Sequence, residues 1–275
     1  MKEKIGVIQG RLLPKYCGRY QAHPVGYWQE EFPIAADLGL DCIEFILDYD
    51  NVGANPLMSQ QGRQQILSVI RATGVKVRSI CADYFMEAPL HGTDVVQVKE
   101  SLGTLQYLLE VSSELGVQDI VIPCVDHSSL KTSAAEKRFK QNIELIIPKA
   151  EEVGINLSLE TDLEPRAFQN LLQSLDSPRV SVNYDIGNSA ALDYDVTEEL
   201  QAYGSRISNI HIKDRLLGGG PVKLGEGNAN IPRFLRCLRA YNYQGPLIMQ
   251  AFRDEEGIQI FEEQLVYTRN ALAGP

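Results

Sequence analysis

The chain has 275 residues, a formal charge of −10 and 44% hydrophobic content, enough for one large core. Its acidic balance would repel phosphate backbones, which argues against a nucleic acid partner and for a small-molecule ligand. No apolar run is long enough to span a bilayer, Met1-Lys2-Glu3-Lys4 leads straight into Ile5 without a signal-peptide core, and five scattered cysteines lack CxxC pairing. A reducing cytoplasm, without membrane attachment, disulfides or a thiolate zinc site, is the expected setting.

Apolar, β-branched runs bounded by turn residues predict eight strands along the whole chain: Ile5 to Gln9, Cys42 to Ile46, Val75 to Ala82, Asp119 to Pro123, Ile155 to Glu160, Val180 to Asp185, Ile207 to Lys213 and Pro246 to Ala251. Gly39, Gly74, Gly116 and Gly154 stand just before four of them as helix stops. Between the strands, apolar residues recur at three and four, predicting helices over Gly62 to Thr73, Val98 to Leu115, Ala134 to Val153, Pro165 to Leu175 and Ile231 to Tyr241. The alternation is that of a (βα)8 TIM barrel, an α/β fold, and no linker divides residues 1–275 into more than one domain.

Three of these strands end on side chains that ligate metals, Glu160, Asp185 and His211, spaced about every 25 residues. One βα unit is roughly that long, so all three would reach the catalytic edge of the barrel. Any one of them alone is an ordinary cap or ion-pair partner; the joint placement predicts a metal centre. The set of hard oxygens and one imidazole suits a divalent ion, Mn²⁺ first, with Co²⁺, Mg²⁺ and Zn²⁺ as alternatives. Gln250, ending the eighth strand, is a candidate fourth ligand through its amide oxygen.

Other polar residues end strand-like runs. Gln9, Arg11, Glu44 and Asp83 are candidates to hydrogen-bond a small polar ligand, Asn188 to touch that ligand or fix its loop, and Lys213 and Arg253 to neutralise developing charge or pair with Asp214 or Asp254. Gly218-Gly219-Gly220 offers either a phosphate-binding loop or a surface lid. Tyr16, Tyr20, Tyr27, Trp28 and Phe32, with Arg19 and His23, form an aromatic segment that would fold over the barrel mouth and cover a bound ligand or make a subunit contact, including that of a homodimer. His127 is expected in an exposed loop or in the pocket.

Leu159-Glu160-Thr161, Tyr184-Asp185-Ile186-Gly187-Asn188, His211-Ile212-Lys213-Asp214, Leu224-Gly225-Glu226-Gly227-Asn228 and the opening Ile8-Gln9-Gly10-Arg11-Leu12 together resemble the xylose-isomerase-like TIM barrels, closest to the sugar phosphate isomerase/epimerase branch. The resemblance implies a divalent metal on Glu160, Asp185, His211 and the position of Gln250, Glu160 as base, and a sugar or sugar phosphate as substrate. Many epimerases of this family carry a glutamate where Gln250 stands, serving as ligand and second acid/base. A glutamine cannot exchange a proton, which favours aldose–ketose isomerisation over two-base epimerisation unless water or Glu44 supplies the second proton. Dehydration of a keto-polyol or keto acid, and a non-catalytic sugar-binding barrel, are the competing readings. Apurinic-endonuclease chemistry would need more histidines than the four present.

Overall fold

The computed structural model describes residues 4–254 and 257–274, so Met1, Lys2 and Glu3 of the opening tetrapeptide lie outside the described residues. Eight parallel strands close into a barrel: β1 Ile5–Ile8, β2 Cys42–Ile46, β3 Lys76–Cys81, β4 Asp119–Cys124, β5 Asn156–Thr161, β6 Val180–Asp185, β7 Ile207–Ile212 and β8 Leu247–Met249. Each pairs with its sequence neighbour, and β8 returns to β1 with Met249 opposite Val7. All eight predicted strands are present, within a residue or two at their ends.

Alternation along the strands divides the core in two. Val7, Phe45, Ile120, Leu157, Val182, Ile210 and Met249 belong to the large hydrophobic cluster that includes the helices' apolar residues. Ile8, Cys42, Ile46, Cys81, Val121 and Ile248 form a second, smaller apolar cluster. The arc from β4 to β7 is instead lined with polar groups that hydrogen-bond one another. Asn156 Nδ2 donates to Asp119 (2.9 Å), Ser158 and Ser181 share a 2.9 Å bond, and Asn209 Nδ2 donates to Asn183 Oδ1 (2.9 Å). This ladder lies below Glu160, Asp185 and His211.

Helices Gln60–Thr73 and Val95–Leu115 start on side-chain caps from Ser59 and Asp94 and stop at the left-handed Gly74 and Gly116. The helix expected over Ala134 to Val153 is two, Ser133–Ile143 and Ile147–Val153. Pro148 has no N–H for the Glu144 carbonyl, and its ring would strike that oxygen in a continuous helix. The helix expected to reach Tyr241 ends at Leu238 and continues as a 3-10 turn over Arg239–Tyr241. Among the described residues, no helix is long and apolar enough to cross a membrane.

Candidate active site

Glu160 ends the inward alternation of β5, Asp185 that of β6 and His211 that of β7, so three neighbouring strands deliver three candidate ligands to one edge. One ligand atom from each lies within 4.8 Å of the others, and all three residues are buried. His211 presents Nδ1 to this group, 3.4 Å from Glu160 Oε2 and 3.9 Å from Asp185 Oδ2. Its Nε2 lies 2.6 Å from Glu44 Oε1, deeper in the barrel. Burial opposes a charged imidazole, yet Glu44 and Glu160 outweigh it and hold the His211 pKa well above the ordinary range. The same carboxylates favour a cation at this point.

Each carboxylate is oriented by amides. Glu160 accepts from Asn183 Nδ2 at Oε2 (2.7 Å) and from Asn188 Nδ2 at Oε1 (2.8 Å). Asp185 caps its own following turn through the Asn188 N–H (2.8 Å), while Lys213 Nζ stands 3.4 Å from its other oxygen. Gly187 is required here, because a Cβ would lie 2.8 Å from Lys213 Cγ. Gln250 follows β8; its Nε2 donates to Gln21 Oε1 (2.7 Å), and its buried Oε1 has no partner. An orphaned amide oxygen costs free energy unless something binds it, and it suits a hard cation.

Above the triad opens a cavity of about 630 Å³, walled by Glu160, Asn188, Lys213 and Gln250 together with Asp83, Gln21, Arg19, Asp48, Arg215 and His127. Its size lies within the range of small-molecule sites, and its lining is largely polar.

Residues 32–271 match the family model described as xylose isomerase-like TIM barrel. The chain belongs to that family. Among curated relatives, L-ribulose-5-phosphate 3-epimerase UlaE of Shigella flexneri is 26% identical over 245 residues, covering 85% of this chain and 86% of the relative. Among solved structures, the IOLI protein with a bound zinc atom superposes with a TM-score of 0.77 at 16% identity, covering 98% of each chain. D-psicose 3-epimerase in the presence of D-fructose gives 0.75 at 15% identity, covering 98% of this chain and 100% of that one.

The xylose isomerase-like barrel brings Glu160, Asp185, His211, Gln250, Asn188, Lys213 and Asp83 to one place. It does not bring Gln9 or Glu44 into the cavity. Gln9 is fully buried, with Oε1 accepting from the Ile46 N–H (3.0 Å) and paired with His23 Nδ1 (3.1 Å), so it ties β1 to β2. Glu44 is sealed behind His211 and also accepts from Ser79 Oγ and Asn209 Nδ2, both at 2.7 Å. Neither is placed to bind a sugar hydroxyl. Arg11 and Arg253 lie behind the wall: Arg11 reaches Gln21 Oε1 at 3.4 Å, and Arg253 donates to the Arg11 carbonyl and stacks on Tyr20.

The glycine run is the turn of a small hairpin between Asp214–Arg215 and Pro221–Val222. Gly218 and Gly219 N–H groups already bond the Ala191 and Leu216 carbonyls, so they cradle no phosphate. Trp28 and Phe32 are core, packed edge-on to each other, and the aromatic segment contributes Arg19 and Gln21 to the cavity. His127 is half-exposed on the cavity rim, near Glu87. In Leu224-Gly225-Glu226-Gly227-Asn228 the purpose of the glycines is mechanical: Asp214 accepts from the N–H groups of Gly225, Gly227 and Ala229 at 2.8, 3.0 and 2.9 Å. Gln21, Asn183 and Arg215 are site residues that sequence reasoning missed. Asn183, an inward amide two residues before Asp185, carried a readable signal; Gln21 and Arg215 did not.

Proposed function

We propose that the protein epimerises or isomerises a small keto sugar, free or phosphorylated, using a divalent cation held by Glu160, Asp185, His211 and Gln250. The observation carrying this reading is the convergence of three ligand atoms within 4.8 Å beneath a polar cavity. Gln250, whose Oε1 is unpartnered, stands in the wall of the same cavity. When bound, a divalent cation polarises the carbonyl and hydroxyl oxygens of the sugar and makes the adjoining C–H proton more acidic. The mostly oxygen donor set favours Mn²⁺, with Co²⁺, Mg²⁺ and Zn²⁺ as competitors.

Glu160 is the base in this proposal. Asn183 and Asn188 hold its two oxygens, so the carboxylate meets the C–H bond without first reorganising. Lys213, on the cavity wall, neutralises charge on the enediolate. Gln250 alone favours aldose–ketose isomerisation. The relatives named as 3-epimerases of L-ribulose 5-phosphate and of D-psicose move the reading towards epimerisation at the carbon beside a ketone.

The test uses chelator-free protein that has not met a nickel column. Metal content is measured by plasma mass spectrometry for wild type and His211→Ala, and L-ribulose 5-phosphate and D-psicose are then incubated with the protein in ²H₂O. Near-stoichiometric metal lost in the variant, with deuterium entering a product otherwise unchanged in mass, supports the reading. A product lighter by one water moves it to a dehydratase, and absence of metal after Mn²⁺, Co²⁺ or Zn²⁺ is restored removes it.

A further inference from the structure

Inverting a stereocentre takes a base on one face of the carbon and an acid on the other. Glu160 supplies one, Gln250 has no proton to exchange, and Glu44 is sealed below His211. Among the remaining carboxyl groups of the cavity, Asp48 is engaged by Arg19 (3.2 Å) and the His23 N–H (2.7 Å), and Asp50, Glu87 and Asp126 are exposed at the rim.

Asp83 differs from all of these. It follows β3, on the arc facing the β5–β7 strands that carry the triad, and it lines the same cavity as Glu160. Gln21 Nε2 donates to its Oδ2 at 3.0 Å and the Cys81 thiol to its Oδ1 at 3.2 Å. Gln21 Oε1 in turn accepts from Gln250 Nε2, so two hydrogen bonds tie Asp83 to Gln250 just past the end of β8. We propose that Asp83 is the second acid/base of this site, serving the substrate face opposite Glu160; the inference rests on the epimerase reading above.

Burial pushes the Asp83 carboxyl up to about 6, against the hydrogen bonds from Gln21 and Cys81, so both protonation states are accessible near neutrality. In one direction the Glu160 carboxylate takes the C–H proton and its electron pair enters the enediolate. The Asp83 carboxylic acid then protonates the opposite face as the carbonyl reforms. Glu160 ends protonated and Asp83 ionised, and exchange of both with solvent restores the starting state.

The experiment compares wild type, Asp83→Asn and Asp83→Glu in ²H₂O, on L-ribulose 5-phosphate and its C3 epimer and on D-psicose and D-fructose, with metal content and thermal melts recorded alongside. Asp83→Asn is expected to lose epimerisation by about 100-fold or more, while the epimer whose proton faces Glu160 still exchanges it for deuterium. Asp83→Glu, which keeps an acid, is expected to recover at least about tenfold over the asparagine variant. Epimerisation by Asp83→Asn within about threefold of wild type, equal loss of exchange from both epimers, or a glutamate variant no better than asparagine overturns the proposal. Wild-type protein that exchanges no carbon-bound proton of either pair overturns the epimerase reading itself, and this inference with it.

Discussion

Replacing Glu44 by glutamine tests whether a carboxylate behind the imidazole governs the proposed metal centre. Glu44 is fully buried and accepts three hydrogen bonds, from His211 Nε2 at 2.6 Å and from Ser79 Oγ and Asn209 Nδ2 at 2.7 Å each. Glutamine keeps the shape but has one acceptor oxygen. If that oxygen faces His211, the new NH₂ meets the Asn209 donor; if it turns away, the NH₂ meets His211 and reverses the tautomer that leaves Nδ1 free for a ligand. Outer partners of ligating histidines typically govern about 10- to 100-fold in metal affinity, or about 1.4 to 2.7 kcal/mol. The opposed donors add about 1–3 kcal/mol to the folding cost. Calorimetric titration of metal-free protein with Mn²⁺ or Zn²⁺ reads the first effect and urea unfolding of the same samples the second. Affinity within about threefold of wild type, in a variant that folds, would refute the claim that Glu44 sets the imidazole.

Asp214→Asn should lower unfolding stability by about 2 kcal/mol, because one amide oxygen cannot serve the three N–H groups of Gly225, Gly227 and Ala229; an unchanged urea midpoint would show that the loop needs no clamp. His23, pushed down to about 3 by burial, stays neutral in the folded state while the unfolded chain takes up a proton below about 6.5. Its contribution is therefore lost as pH falls, by about 2 kcal/mol between pH 6.5 and 5, and His23→Phe should lose that much less over the same interval. Glu31, raised to about 7 by burial, acts in the opposite sense, its contribution fading as pH rises through 7. It does so equally in both proteins, so the difference between their urea midpoints at pH 7 and pH 5 isolates His23.

What the sequence disclosed follows from how local each signal is. The convergence of Glu160, Asp185 and His211 at the ends of β5, β6 and β7 is legible because period-two alternation and a regular βα length fix both face and edge. Gln21 is not legible, because its part depends on reaching Asp83 and Gln250, 62 and 229 residues away, from a loop with no period. Gln9 and Glu44 illustrate the opposite error. Gln9 follows β1 and Glu44 lies in the middle of β2, and only depth along the barrel axis decides whether such a residue meets ligand or supports a neighbour, which apolar patterning does not report. Over Ala134 to Val153 the break is itself legible in the sequence, since Pro148 forbids a continuous helix there.

The seam between β1 and β8 has a consequence for how the protein is made. Val7 must wait for Met249, so the barrel cannot close until nearly the whole chain has left the ribosome. Glu160, Asp185 and His211 sit on three successive strands, all within residues 156–212. Gln250 arrives with the closing strand, and only then can Gln21 be pinned between it and Asp83. During synthesis the three candidate ligands therefore precede Gln250, and on the proposed function the chain would carry them before its substrate pocket is complete.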